Sequence, residues 1–216
     1  MQQSVRYQKN STTFWGQTSI MANSFTQNPA LILVDIQQAF DDPSWGKRNN
    51  PDAEKNARRL LDAWRKLGLP IFHVQHLSTS PTSLLRPESP GCALKEIVRP
   101  ENQEPVITKN VNSGFIGTDL ENRLRKAGIT QVVILGIATD HCVSTTTRMA
   151  ANLGFQAFVV SDATVAFDRV APDGRHWSAD DIHSSALASL HGEFATAVTT
   201  EDVLEKASQA RQKQLV

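Results

Sequence analysis

The chain has 216 residues with 22 basic and 22 acidic side chains, giving a formal net charge of zero. That length suits one domain of ordinary size with a substantial core. The balanced charge offers neither the basic excess of a nucleic-acid binder nor an acidic tail, and no apolar run reaches the length of a membrane span. The N-terminus lacks the apolar core of a signal peptide. Two cysteines, Cys92 and Cys142, are too few for a disulfide framework, so a reducing cytoplasm is the expected location. Near-neutral charge also weakens colloidal repulsion, which is compatible with an oligomer.

Residues 1–28 are rich in Gln, Ser, Thr and Asn, with scattered Tyr7, Phe14, Trp15 and Phe25. They show no helical or strand periodicity and are expected to form a mobile or loosely packed extension, leaving 29–216 as the folded domain. Met21 is a candidate start of the functional chain. Ala30-Leu31-Ile32-Leu33-Val34-Asp35 reads as a buried strand ending in a carboxylate. After a polar loop through Asp42, Pro43 and Trp45, Pro51 opens a helix bearing Ala57, Leu60, Leu61, Trp64 and Leu67 at helical spacing. Gly68 ends it. Pro70 to His76 is the second strand. Leu77 to Pro100 contains four prolines and little periodicity, and connections that long are usually functional or mobile.

Pro105 to Lys109 is a strand ending in an amine, and Thr118-x-x-Glu121 reads as the capping box of a helix closing at Gly128. Gln131 to Leu135 is a short apolar strand. Ser144 to Leu153 reads as a helix with Gly154 as its C′ residue. Phe155 to Ser161 is the next strand, followed by a loop from Ala163 to Trp177. Ser178-x-x-Asp181 starts a helix running to Gly192, Phe194 to Val198 is the last strand, and a helix follows from Thr200. This alternation argues for an α/β fold with a mostly parallel six-stranded sheet.

Between the Gln131 strand and the Ser144 helix runs Gly136-Ile137-Ala138-Thr139-Asp140-His141-Cys142-Val143. Cys142 therefore falls in the first helical turn, where unpaired N–H groups and the helix dipole favour a thiolate and could hold an oxyanion. A lone cysteine more often packs as a small hydrophobe. Parallel sheets, however, place ligands at the carboxyl ends of their strands, where Asp35 and Lys109 also stand. A carboxylate can take the thiol proton and return it to a leaving amine, while a cation favours both anions. Singly, such an Asp is often a helix cap and such a Lys is solvated. Together with Cys142 they are far more specific.

The histidines offer rival chemistry. His73 and His76 are an odd number of residues apart on one strand and point to opposite faces. His183 and His191 lie about 12 Å apart along one helix. No metal is expected from either pair. His141 projects about 100° away from Cys142 and either borders the pocket or is solvated. His176 could in principle form a papain-like pair with Cys142, with no local support. Cys92 reads as a non-catalytic loop thiol.

Three motifs carry a resemblance: Asp35-x-Gln37-x-x-Phe40; Lys109-x-x-x-Ser113-x-Phe115-x-x-Thr118-x-Leu120; and Gly136-x-x-Thr139-x-x-Cys142-Val143-x-x-Thr146. With Ser161-Asp162-Ala163, they are similar to the isochorismatase-like cysteine hydrolases over roughly Ala30 to Leu204. That superfamily includes nicotinamidases, N-carbamoylsarcosine amidohydrolase, biuret hydrolase and ureidoacrylate hydrolases. The resemblance implies a single-domain three-layer α/β/α fold, with Asp35 as general acid/base, Lys109 supporting it and Cys142 as nucleophile. It further implies a cis peptide between Ile137 and Ala138, with the Ala138 and Cys142 amides forming an oxyanion hole.

The metal-binding nicotinamidases carry an Asp-x-His and a further His near the second strand's end, a pattern that His73-Val74-Gln75-His76-Leu77-Ser78 lacks, so no cofactor is expected. Family members are often dimers or tetramers. Phe40, Trp45, Phe115, His141, Phe167 and Trp177 are candidates to line a pocket for a small planar amide; core packing is the alternative for each aromatic, and for Phe115 and Phe167 it has at least equal weight. The expected activity is hydrolysis of a C–N bond in a small amide or ureide through a cysteine thioester. The alternatives are vinyl-ether hydrolysis of the isochorismate type, which Cys142 argues against, and an idle binding module on the same fold.

Overall fold

The computed structural model describes Phe25 and residues 28–212, without the side chains of 211 and 212. Its strands are β1 (Ala30–Val34), β2 (Ile71–His76), β3 (Val106–Lys109), β4 (Gln131–Ile137), β5 (Gln156–Val165), β6 (Arg169–Val170), β7 (His176–Trp177) and β8 (Ala195–Val198). The helices are α1 (Ala53–Leu67), α2 (Leu120–Lys126), α3 (Ser144–Asn152), α4 (Ala179–Leu190) and α5 (Thr200–Gln212). Six strands form one parallel sheet in the order β3-β2-β1-β4-β5-β8, while β6 and β7 make a small antiparallel hairpin.

Alternation along the central strands divides the core. Ala30, Ile32 and Val34 of β1 pack with Val132 and Ile134 of β4 beneath Leu120 and Leu124 of α2, Ala150 of α3 and Leu190 of α4. Leu31, Leu33, Val133 and Leu135 face the other way, onto Leu60, Leu61 and Trp64 of α1 and Val203 of α5. Both faces are apolar because helices cover both, which is why these strands read as continuous hydrophobic runs. The result is a single three-layer α/β/α unit. Among the described residues, no helix is long and apolar enough to cross a membrane.

Most of the proposed extension, Met21 included, lies outside the described residues. Phe25 does not behave as loosely packed chain: it is buried, with its ring edge-on to Trp64 and Phe158 at 6.1 and 5.1 Å.

Several local expectations need correction. The Thr118 motif is not a capping box: Asp119 is the N-cap, and the Thr118 hydroxyl donates to the Gly114 carbonyl at 2.7 Å. Pro51 sits in the turn before α1, which begins at Ala53. The fifth strand does not stop at Ser161 but continues to Val165 through a register shift against β4. Side-chain amides of Asn50 and Asn56 bond the displaced carbonyls of Ser161, Asp162 and Thr164, so the bulge leaves these groups satisfied. Leu77 to Pro100 is irregular but anchored: Lys95 reaches both Asp41 and Glu54, at 2.6 and 2.7 Å.

Candidate active site

The site forms where β1, β2, β3 and the β4–α3 turn end on the same edge of the sheet. Asp35 follows β1, His76 ends β2 and Lys109 ends β3, and the register sets His76 directly beside Lys109. Between β4 and α3 the chain makes a π-helical turn, Thr139–Val143, in which the Val143 N–H reaches back to the Ala138 carbonyl. Cys142 thus sits in this wider turn just before the α-helix, rather than in the first turn of α3 itself.

Two backbone features bring these ends together. Asp35 adopts a left-handed conformation at φ 51°, and its carbonyl accepts from Gln37 N at 2.9 Å, turning the chain sharply after β1. Non-glycine residues hold such angles only where their surroundings enforce them. Beside it, Gly136 has φ 130°, and a Cβ there would stand 1.9 Å from the Val34 carbonyl oxygen, so only glycine fits. The peptide bond between Ile137 and Ala138 is cis.

Lys109 is the hub. Its Nζ lies 2.6 Å from Asp35 Oδ2, 3.0 Å from His76 Nδ1 and 3.4 Å from Cys142 Sγ. The Lys109 and Asp35 side chains are completely buried. A further donor, Asn112 Nδ2, approaches the sulfur at 3.5 Å from an exposed residue. The second carboxylate oxygen of Asp35, Oδ1, is buried without a hydrogen-bond partner.

Burial dominates the electrostatics. It raises the Asp35 carboxyl to about 6, against the opposing charge and hydrogen bond of Lys109. Burial, followed by the neighbouring Asp35 charge, pushes the Cys142 thiol up to about 12, with Lys109 opposing. Burial thus opposes the thiolate that the turn's position would favour, and the Lys109 ammonium offsets it only in part. Burial, then the Lys109 charge, lowers His76 to about 4, leaving a neutral imidazole at pH 7.

A carboxylate oxygen of Asp35, a ring nitrogen of His76 and Cys142 Sγ lie within 4.8 Å of one another. These are donor types that bind transition metals. Here the ammonium of Lys109 already stands within hydrogen-bond distance of all three residues.

The pocket candidates divide. Phe40, Trp45 and Phe167 form one aromatic group, with ring centroids 4.9 to 6.1 Å apart, packed with Ile137 and Ala138. Phe167 is only 1 % exposed and Phe40 is also buried, so both act as core packing. Phe115 stacks on Phe155 in the same core cluster as Cys142. His141 is exposed beside Asp140. Trp177, in the β6–β7 hairpin, lies under the Arg175 guanidinium. A cavity of about 500 Å³ opens between Leu77–Glu88 and the end of β3, bordered by Arg86, Glu88 and Lys109.

Other histidines are engaged elsewhere. His73 bonds Glu104, exposed His176 bonds Asp168, and buried His183 bonds the Thr139 hydroxyl beneath the π turn. Sequence reasoning missed His76 and Asn112. For His76 the signal was present, because it ends a parallel strand as Asp35 and Lys109 do.

An isochorismatase domain model matches residues 29–202. The chain belongs to the isochorismatase family of hydrolases. It is 50% identical over 178 residues to the uncharacterized isochorismatase family protein YrdC of Bacillus subtilis, covering 82% of this chain and 95% of that one. A crystal structure assigned to the isochorismatase family, from Chromobacterium violaceum, superposes with a TM-score of 0.83 at 43% identity, covering 86% of this chain and 98% of the other. The N-carbamoylsarcosine amidase of Thermoplasma acidophilum is similar at 25% identity and a TM-score of 0.64, over 81% of this chain and 97% of that one.

Proposed function

We propose that this family member hydrolyses the C–N bond of a small amide or ureide through a thioester on Cys142, with Asp35 as proton carrier and Lys109 as the cation between them. The observation that carries this reading is the bridging position of Lys109 Nζ, hydrogen-bonded to both the carboxylate and the sulfur. Similarity to an amidase supports the bond type.

In the resting site Asp35 is largely ionised at pH 7 and Cys142 holds its proton. The sulfur adds to the substrate carbonyl as its proton passes to Asp35, whose buried Oδ1 has a free lone pair. After burial, the Asp35 charge is the largest influence holding that proton on sulfur. Once the proton has crossed, this charge is gone while Lys109 remains beside the sulfur. The oxyanion would be received by the Ala138 and Cys142 amides at the cis bond. Asp35 then protonates the departing amine, and water, deprotonated by the same carboxylate, cleaves the thioester to release the acid. No metal is needed, because the ammonium supplies the local positive charge.

The test is release of ammonia or amine from a panel of small amides and ureides, with wild type beside Cys142→Ala and Cys142→Ser. Release by wild type alone, with an acyl group trapped on Cys142, is the expected result. Undiminished turnover in Cys142→Ala would overturn the mechanism.

A further inference from the structure

An ammonium has three N–H donors and no acceptor. Lys109 spends them on Asp35 Oδ2, His76 Nδ1 and Cys142 Sγ. The His76 nitrogen that faces this cation must therefore be the unprotonated one, which places the ring proton on Nε2. A hydrogen bond with the Val111 backbone engages the ring as well. With Nδ1 turned to Lys109, that nitrogen is not available as a base toward water or substrate.

We propose that His76 is a positioning residue: its imidazole takes the third N–H of Lys109 and keeps the ammonium aimed at both Asp35 and Cys142. This rests on the reading of those three residues as the reacting set. The titratable groups around the imidazole are Lys109, Asp35 and Cys142 in the site, and Cys92, whose sulfur lies 3.9 Å from the His76 carbonyl oxygen. Of the site's acceptors for Lys109, the imidazole alone keeps its charge through the reaction, since the carboxylate and sulfur exchange a proton. It is a fixed tether while the other two change.

The tether is itself held. Gln37, fully buried two residues after Asp35, accepts from His76 N at 2.9 Å and donates to the His76 carbonyl at 3.0 Å. Its amide also donates to the Cys92 carbonyl at 2.7 Å, and Gln75 donates to the same oxygen at 2.9 Å. Gln37 thereby links the Pro90–Cys92 turn, through His76, to Lys109.

The test needs no substrate. It is the rate at which iodoacetamide alkylates Cys142 as a function of pH, followed by mass spectrometry of its own peptide so that Cys92 is counted separately. In His76→Leu, alkylation at neutral pH should fall by about tenfold, as expected for one buried donor left without an acceptor, and its rise with pH should move upward. In His76→Asn, whose Oδ1 takes the place of Nδ1, the rate should stay within about threefold of wild type. A wild-type profile in His76→Leu overturns the proposal, as does an equal loss in both variants. If His76→Leu fails to fold, imidazole nitrogen NMR of the wild type decides: an unprotonated Nδ1 at neutral pH supports the tether and an Nδ1–H overturns it. The expected alkylation pattern in a protein that cleaves no C–N bond would remove the substrate reading alone. Cys142-dependent cleavage with His76→Leu unaffected would remove only the role of His76.

Discussion

Lys109 Nζ and Asp35 Oδ2 meet at 2.6 Å with neither side chain exposed to solvent. A buried pair of this kind contributes little net stability, because desolvation offsets its attraction, but losing one partner strands the other charge. Lys109→Met should therefore destabilise the fold by about 3–5 kcal/mol at alkaline pH, where Asp35 would be ionised without a partner. The cost should shrink as acid neutralises Asp35, and Asp35→Asn/Lys109→Met should be less damaged than Lys109→Met. Urea unfolding at acid and alkaline pH measures this, and a cost independent of pH would contradict it.

The pH profile of turnover follows from the same pair. Asp35 must be ionised to accept the thiol proton, and its carboxyl is raised to about 6. The rate constant kcat/KM should rise with pH through about 6 and then level off. The Cys142 thiol, pushed up to about 12, adds no alkaline limb near neutrality. An acid limb near the ordinary carboxylate range would show that Asp35 is not the proton acceptor.

Asn112 offers a milder test. It is exposed, and its amide donates to Cys142 Sγ at 3.5 Å. Asn112→Ala should lower turnover by about tenfold while leaving the melting temperature unchanged, since one hydrogen bond to a developing anion is lost and no core contact is removed.

Acid stability has a different source. Burial alone would raise Glu54, but hydrogen bonds and charges from Arg48 and Lys95 outweigh it and hold the carboxyl at about 2, against 4.5 ordinarily. A depressed carboxyl stabilises the fold above its unfolded value and loses that contribution as pH falls toward the folded one. The stabilisation is thus complete above about 4.5 and should disappear as pH approaches about 2. Melting temperatures across this window should fall steeply in wild type and more shallowly in Glu54→Gln.

Gly136→Ala should abolish folding. A Cβ 1.9 Å from the Val34 carbonyl oxygen strikes the backbone of a central strand, which has no rotamer by which to move aside. A soluble variant with a native circular dichroism spectrum would contradict this.

The six strands were legible because each is a short apolar run bounded by turn residues, and Asp35, Lys109 and Cys142 were legible because they stand at strand ends or in the turn that follows one. His76 was equally visible in position, but its role depends on the β2–β3 register, which pairs it with a residue far along the chain. The continuation of β5 past Ser161 depends on amides from Asn50 and Asn56 that no local pattern signals. The raised Cys142 thiol could not be read locally either, because desolvation depends on everything that packs around a group. Thr118 misled because a hydroxyl three residues before a glutamate satisfies the motif whether or not the helix starts there.

Phe25 has a practical consequence for anyone trimming this chain. The family similarity begins at residue 29, which invites a truncation just ahead of β1. Such a cut would remove the ring lodged against Trp64 and Phe158 and wet the floor between α1 and the sheet. The smallest autonomous fragment should therefore start upstream of Phe25, and shorter versions should be prone to clump through that opened cleft.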